Sequence, residues 1–304
     1  MRSPLRTVAA RQHGAFHARQ ALSCYTPAEL RARVRSQLWC RVFGRTYRLS
    51  TSEPSARLRV AAAGLSIGRP VPACLHTAAE LHGFGILDDP VTHVAVGSEL
   101  PCRRRDELWP HQLALAPRDL IRLRCGLCAT TADRTAVDLA RALPPIDTLA
   151  VLDAALAAGA CTVESLTAEV VRHVGLRRVR RARMLIALAE YGPESPQESR
   201  MRWRCHEARL PRPTVQLPVL YSDGRARRWL DLGWEDVKVG LEYDGEAGHD
   251  GATRRRADRR RHNILQDDDW AMFYATDLDI YRDHKALMAK IDAAIRRRRA
   301  VIKA

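Results

Sequence analysis

A chain of 304 residues with 46% hydrophobic content is long enough for two or three domains with real cores. Its 50 Lys and Arg against 35 Asp and Glu leave a formal charge of +15, which points to a polyanionic partner, nucleic acid before an anionic membrane. No apolar run approaches the roughly 20 residues of a membrane span, and no signal-peptide h-region follows Met1-Arg2-Ser3-Pro4-Leu5-Arg6, so the expected compartment is the cytoplasm.

The first fifty residues read as a small winged helix-turn-helix. Arg6 to Arg11 and His17 to Leu22 form short helices. Thr26-Pro27-Ala28-Glu29 is a capping box with Pro at the first helical position. The helix that it starts is expected to bury Leu30, Val34 and Leu38 and to turn Arg31, Arg33 and Arg35 to its other faces. Trp39 to Val42 and Thr46 to Leu49 flank Phe43-Gly44-Arg45 as a hairpin wing carrying Arg41, Arg45 and Arg48. A recognition helix beside a basic wing puts side chains in a major groove and cations on phosphates, so Arg31, Arg35, Arg41 and Arg45 are the candidate DNA contacts. The competing reading is a helical cap whose arginines are merely solvated.

Residues 53–190 form a mixed α/β middle region. His76 to Gly83 reads as a helix ending at a Gly cap, Thr92 to Val96 as a strand, and Thr135 to Ala142 and Thr148 to Ala158 as helices parted by Pro144-Pro145. Arg172 to Arg183 is expected to be a solvated basic helix face. Of eight cysteines only Cys125 and Cys128 have ligand-like spacing, and no second pair accompanies them. Thiols in a reducing cytosol are therefore preferred to a zinc or redox site.

Tyr191-Gly192-Pro193 marks the start of a last domain, 191–304. Ser195-Pro196-Gln197-Glu198 is again a helix start with an acid at N3, and a helix to about Ala208 follows. Strands are expected at Thr214 to Leu220, Arg228 to Trp234 and Val237 to Tyr243, with Asp223-Gly224 as the first hairpin turn. A basic helix from Arg254 to Asp268, a fourth strand from Trp270 to Thr276 and a closing helix from Lys285 to Arg299 complete an order α-β-β-β-α-β-α. The expected class is α/β, α+β overall.

The chemistry gathers on the second and third strands. Leu230, Leu232 and Trp234 take one face and leave Asp231 on the other, while Val237, Val239, Leu241 and Tyr243 alternate with Lys238, Gly240, Glu242 and Asp244. With Glu235-Asp236 as the turn, Asp231 lies diagonal to Lys238 and Glu242, roughly 5.5–8 Å between Cβ atoms. Carboxylates that close repel unless a cation intervenes, and Mg²⁺ takes one or two carboxylates with several waters.

The last 110 residues resemble a family of unknown function related to the very-short-patch-repair endonuclease, within the PD-(D/E)XK superfamily. The resemblance rests on Glu194 to Arg200, Asp231-Leu232-Gly233-Trp234, Glu242-Tyr243-Asp244-Gly245, Asp258-Arg259-Arg260-Arg261 and the Trp270 strand. It implies a restriction-endonuclease-like core with Asp231 and Glu242 as ligands of Mg²⁺ or Mn²⁺, and Glu198 completing the catalytic set. Asp244 stands where most of the superfamily has a lysine, and Lys238, on the same polar face, is a candidate to replace that charge. His249 falls near a histidine of the family, Tyr274 stands where Arg is commoner, and Arg259 and Arg261 would grip the DNA backbone. The first 160 residues resemble AbiEi-type antitoxins, with residues 1–52 as the winged helix, on Arg11 to Phe16 and His76 to Ala79. The implied protein is a Mg²⁺-dependent DNA endonuclease with its own DNA reader, in a defence or toxin-antitoxin operon. The rival is an antitoxin-type repressor whose nuclease fold is silent. RNA or single-strand binding lacks clustered stacking aromatics.

Overall fold

A computed structural model describes residues 1–99, 104, 107–220, 226–245 and 269–303. The Asp223-Gly224 turn, His249 and the basic segment with Arg259 and Arg261 lie outside them. The architecture is α+β. The chain divides into two compact units, Met1–Ala142 with Ala158–Arg183, and Leu143–Ala157 with Met184–Ala304. The expected boundary at Tyr191 thus lies inside the second unit's longer run. No described helix is long and apolar enough to cross a membrane.

The first unit opens with α1 (Ser3–Arg11), β1 (Phe16–His17), α2 (Ala18–Leu22), α3 (Pro27–Arg35), β2 (Trp39–Arg41) and β3 (Thr46–Leu49). The strands form an antiparallel sheet in the order β1-β3-β2, the wing being the β2–β3 hairpin. Trp39, 1% exposed, sits edge-on to Phe16 and Tyr25 with ring centroids 4.9 and 5.1 Å away. At the start of α3 the Thr26 hydroxyl accepts the Glu29 N–H at 3.2 Å and the Glu29 carboxylate accepts the Thr26 N–H at 2.7 Å. The helix is shorter than its apolar spacing suggests. It ends at Ser36, and Gln37 turns to φ 57°, so Leu38 leaves the helix and is 52% exposed instead of buried. Leu30 and Val34 pack half-buried against the Trp39 cluster.

The middle of this unit holds α4 (Ala56–Ile67), α5 (Leu75–His82), β4 (Thr92–Val96), β5 (Leu108–Gln112), β6 (Leu120–Arg122), β7 (Cys128–Thr130), α6 (Ala132–Ala142) and α8 (Val163–Val171). β4 and β5 pair in parallel; β6 and β7 form an antiparallel hairpin with Cys125 and Cys128 around its turn. Leu58, Ala62 and Ala63 of α4 share a cluster with Phe43 of the wing and with Val94, Val96 and Leu108. The Arg172–Arg183 stretch is not one helix: Arg172 caps α8, turns follow, and α9 begins only at Val179. Its apolar residues Val174 and Leu176 are exposed.

The second unit contains α7 (Pro145–Ala157), α10 (Pro196–Glu207), β8 (Thr214–Leu220), β9 (Ala226–Trp234), β10 (Val239–Tyr243), β11 (Ala271–Ala275), α12 (Asp277–Tyr281) and α13 (His284–Lys303). Its sheet has the order β11-β10-β9-β8, with β10 and β11 parallel and the other pairs antiparallel. Leu232, Trp234, Val239 and Leu241 face a core completed by Met201, Ile280 and Ile291 from the helices. Arg202 of α10, 4% exposed, reaches Asp153 of α7 at 2.5 Å, and Asp153 also accepts the Glu190 N–H at 3.0 Å.

Candidate functional site

The link between β9 and β10 decides where the acids meet. It is not a two-residue turn at Glu235-Asp236. A 3-10 turn covers Glu235–Val237 and Lys238 follows in the left-handed region at φ 47°. The ladder therefore runs Val239↔Trp234, Gly240↔Gly233, Leu241↔Leu232, which is not the register of a two-residue turn, and it ends just before Asp231 and Glu242. Lys238 lies in that turn, ahead of β10, and not on the strand.

The pleat is interrupted beside Asp231. Leu230 joins Leu217, Val219 and Trp270 in one cluster, while Leu232 belongs to the main core. Strict alternation would put Leu230 and Leu232 on one face. The pairs Val215↔Leu232 and Leu217↔Leu230 bracket Gln216 and Asp231, and Gln216 adopts φ 48°. The Asp231 carboxylate reaches β10, where it accepts the Tyr243 N–H at 2.8 Å. The face carrying Glu242 is accordingly not purely polar. A Cβ on Gly240 would lie 2.6 Å from Met272 Sδ, so a larger residue there would require the Met272 side chain to shift.

Three carboxylates converge from three elements: Glu198 on α10, Asp231 on β9 and Glu242 on β10. Burial raises the Asp231 pKa, the Tyr243 N–H opposes this, and the charges of Glu198 and Glu242 push it up again, to about 6. Glu198 is 5% exposed and does not complete the expected capping box. Ser195 Oγ accepts the Glu198 N–H at 3.3 Å, but the Glu198 carboxylate turns to the Glu194 N–H at 2.9 Å and to Gln216 Nε2 at 2.8 Å. Glu242, 8% exposed, accepts from the guanidinium of Arg228 on β9. Asp231, Gln216, Glu194, Gly192 and the half-exposed Trp229 line a cleft of about 550 Å³.

Asp244 is exposed just past β10, its N–H donating to Ala275 O at 2.8 Å. Tyr274 stands beside Glu242 in the parallel register. Arg31, Arg35, Arg41 and Arg45 are all exposed on α3 and the wing. Arg48 is engaged internally, donating to the carbonyls of Leu49 and Ser52 at 3.0 and 2.6 Å. Arg33 lies over the rings of Tyr25 and Trp39 at 4.9 and 5.6 Å. Arg228 and Gln216 went unforeseen because nothing in the local pattern sets Arg228 apart from its neighbours Arg225 and Arg227.

Among the described residues no three His, Cys, Asp or Glu side chains are arranged to hold a metal ion. Mg²⁺ asks for less, one or two hard carboxylates with water filling the rest. Asp231 and Glu242 supply that pair, and burial first, then the charges of Glu198 and Glu242, raise the Asp231 pKa against the opposing Tyr243 N–H and Arg228. The donor set fits such an ion.

The family model for the AbiEi antitoxin C-terminal domain matches residues 71–188, the middle of the chain and not its first 160 residues. Two relatives, the uncharacterized proteins MT2308 and Rv2248 of Mycobacterium tuberculosis, are each 31% identical over 242 residues, covering 80% of this chain and 88% of the relative.

Proposed function

The chain belongs to the same family as the mycobacterial proteins MT2308 and Rv2248, and from that premise and the acidic cleft we propose a metal-dependent DNA phosphodiesterase with its own winged-helix reader, working in a toxin-antitoxin or defence setting. The approach of Glu198 and Glu242 to Asp231, a half-buried acid that lines an open cleft and whose pKa burial and then those two charges raise to about 6, carries this reading. The strand order and directions around that cleft support a PD-(D/E)XK-like core, and the AbiEi match supports the setting.

Bound to Asp231 and Glu242, Mg²⁺ or Mn²⁺ would supply an activated water and neutralise charge on the scissile phosphate. Glu198, fixed by the Glu194 N–H and Gln216, orients water on the cleft side of Asp231. Arg228 pairs with Glu242 and orients it, bringing a positive charge to the acids of β9 and β10. Asp244 would position water at the open strand end. Arg31, Arg35, Arg41 and Arg45 take up duplex phosphates and base edges. Arg259, Arg261 and His249, outside the described residues, would complete the strand grip.

The test is nicking of supercoiled plasmid in Mg²⁺ or Mn²⁺ by the full chain, Asp231→Asn and Glu242→Gln, beside a gel shift. Cleavage lost in both variants with the shift retained is the expected result. Undiminished cleavage by Asp231→Asn sinks the assignment. A second reading is favoured by one pair of observations: Arg228 already neutralises Glu242, and an acid occupies the lysine position. It is an antitoxin-type repressor with a silent site, and it predicts a shift of the protein's own promoter without nicking at saturating Mn²⁺.

A further inference from the structure

Within the first unit, a cleft of about 870 Å³ opens where the winged helix meets α4 and the β6–β7 hairpin. Its size is that of a small-molecule site, not of a surface that seats a duplex. Five of its lining residues are arginines, two are histidines and none is Asp or Glu, in a chain with 35 acids. Arg69 pairs with Glu99, but no described carboxylate bridges Arg11, Arg19, Arg45 or Arg122. The contrast lies in the same unit, where Arg134, Arg141 and Arg172 are tied to Asp119, Asp138 and Glu169.

Guanidiniums left without counter-charge around a concavity raise the local anion concentration and match phosphate oxygens bidentately. Burial and the nearby charges of Arg45 and Arg19 lower the His17 pKa, which places both guanidiniums within electrostatic reach of one wall. Part of the lining is an apolar wall, with Leu65 and Ile67 of α4 and Leu127 of the Cys125–Cys128 hairpin partly exposed and Val60 and Val71 nearly buried. A phosphate-only ligand leaves that wall unused, whereas a flat heterocycle covers it.

We propose that this cleft binds a nucleoside polyphosphate, its phosphates on Arg11, Arg19, Arg45 and Arg122 and its base against the Leu65–Leu127 wall. The CxxC hairpin then acts as a wall of the site, shaped by the Gly126 turn, and not as a metal clip. The site is separate from the acidic cleft and does not depend on nuclease activity.

The experiment titrates the full chain with methylanthraniloyl-ATP, and with adenosine and inorganic tripolyphosphate as partial ligands. Arg19→Ala and Arg122→Ala are the variants, because neither residue belongs to the DNA-contact set and both are exposed, so their thermal melts should match wild type. Saturable binding is expected, weakened roughly tenfold by each substitution, with adenosine and tripolyphosphate each much poorer than the nucleotide. Absence of saturation, or unchanged affinity in both variants, overturns the site. Tripolyphosphate as good as the nucleotide overturns the ligand class. Loss of duplex binding by the variants, without nucleotide binding by wild type, reassigns the cleft to the DNA interface and refutes the proposal.

Discussion

Replacing Asp231 by Asn should make the protein more stable while disabling it. The carboxylate is held at a pKa of about 6 against 3.8 for the ordinary group. In that window the folded state keeps the proton that the unfolded chain has released, so this group's contribution to stability falls as pH rises through it. Above about pH 6 the whole penalty is present. About two pH units correspond to ~3 kcal/mol, and partial solvent access at the cleft reduces this to about 1–2 kcal/mol. Asn keeps an oxygen for the Tyr243 N–H and removes the charge that repels Glu198 and Glu242. For a unit of this size the gain is about 3–6 °C in Tm near neutral pH, in EDTA. The assay is thermal melting of wild type and Asp231→Asn from about pH 4 to 8, with and without Mg²⁺. The two curves should converge at the acid end and separate through pH 6, and Mg²⁺ should raise the Tm of wild type only. A variant no more stable than wild type near neutral pH, or one stabilised equally by Mg²⁺, refutes the crowded-carboxylate reasoning.

Arg202→Met should cost about 3–5 kcal/mol because it strands Asp153 in the α7–α10 contact; Asp153→Leu added to it should recover most of that loss in urea melts. In the first unit, burial and the neighbouring His93 push the His111 pKa down to about 4, and His93 is lowered as well. The unfolded chain then takes these protons first as pH falls below 6.5, so stability is full above that value and declines toward pH 4. His111→Gln should flatten this slope in denaturation midpoints measured against pH, and an unchanged slope contradicts the assignment. Arg31→Ala and Arg35→Ala should each lower duplex affinity and reduce the salt slope of binding by about 1, read by fluorescence anisotropy across a KCl series. Variants with the wild-type slope would place α3 away from the phosphates.

What the sequence determined by itself was local. The Thr26–Glu29 box, Pro at N1 and the Gly83 cap are set by hydrogen bonds and sterics within a few residues, so their helices begin or end where their signals lie, whereas β10 begins two residues later than its alternation suggests. Asp231 and Glu242 were legible as acids near each other on one face, in a diagonal arrangement, for the same reason. Only the tertiary structure decided how they meet. The 3-10 turn at Glu235–Val237 set the register, the Asp231 carboxylate took the Tyr243 N–H of β10, and Arg228 became the partner of Glu242. Lys238 left the strand in the same step, and Leu38 was lost from α3 when Gln37 took a left-handed turn. Each of these is chosen by packing between segments distant in the chain, where burial and charge pairing outweigh the few tenths of a kcal/mol that separate alternative turns and helix ends locally. The arginines around α4 and the hairpin that have no ion pair among the described residues belong to that class too, since separate stretches of chain become one cleft only when the chain folds.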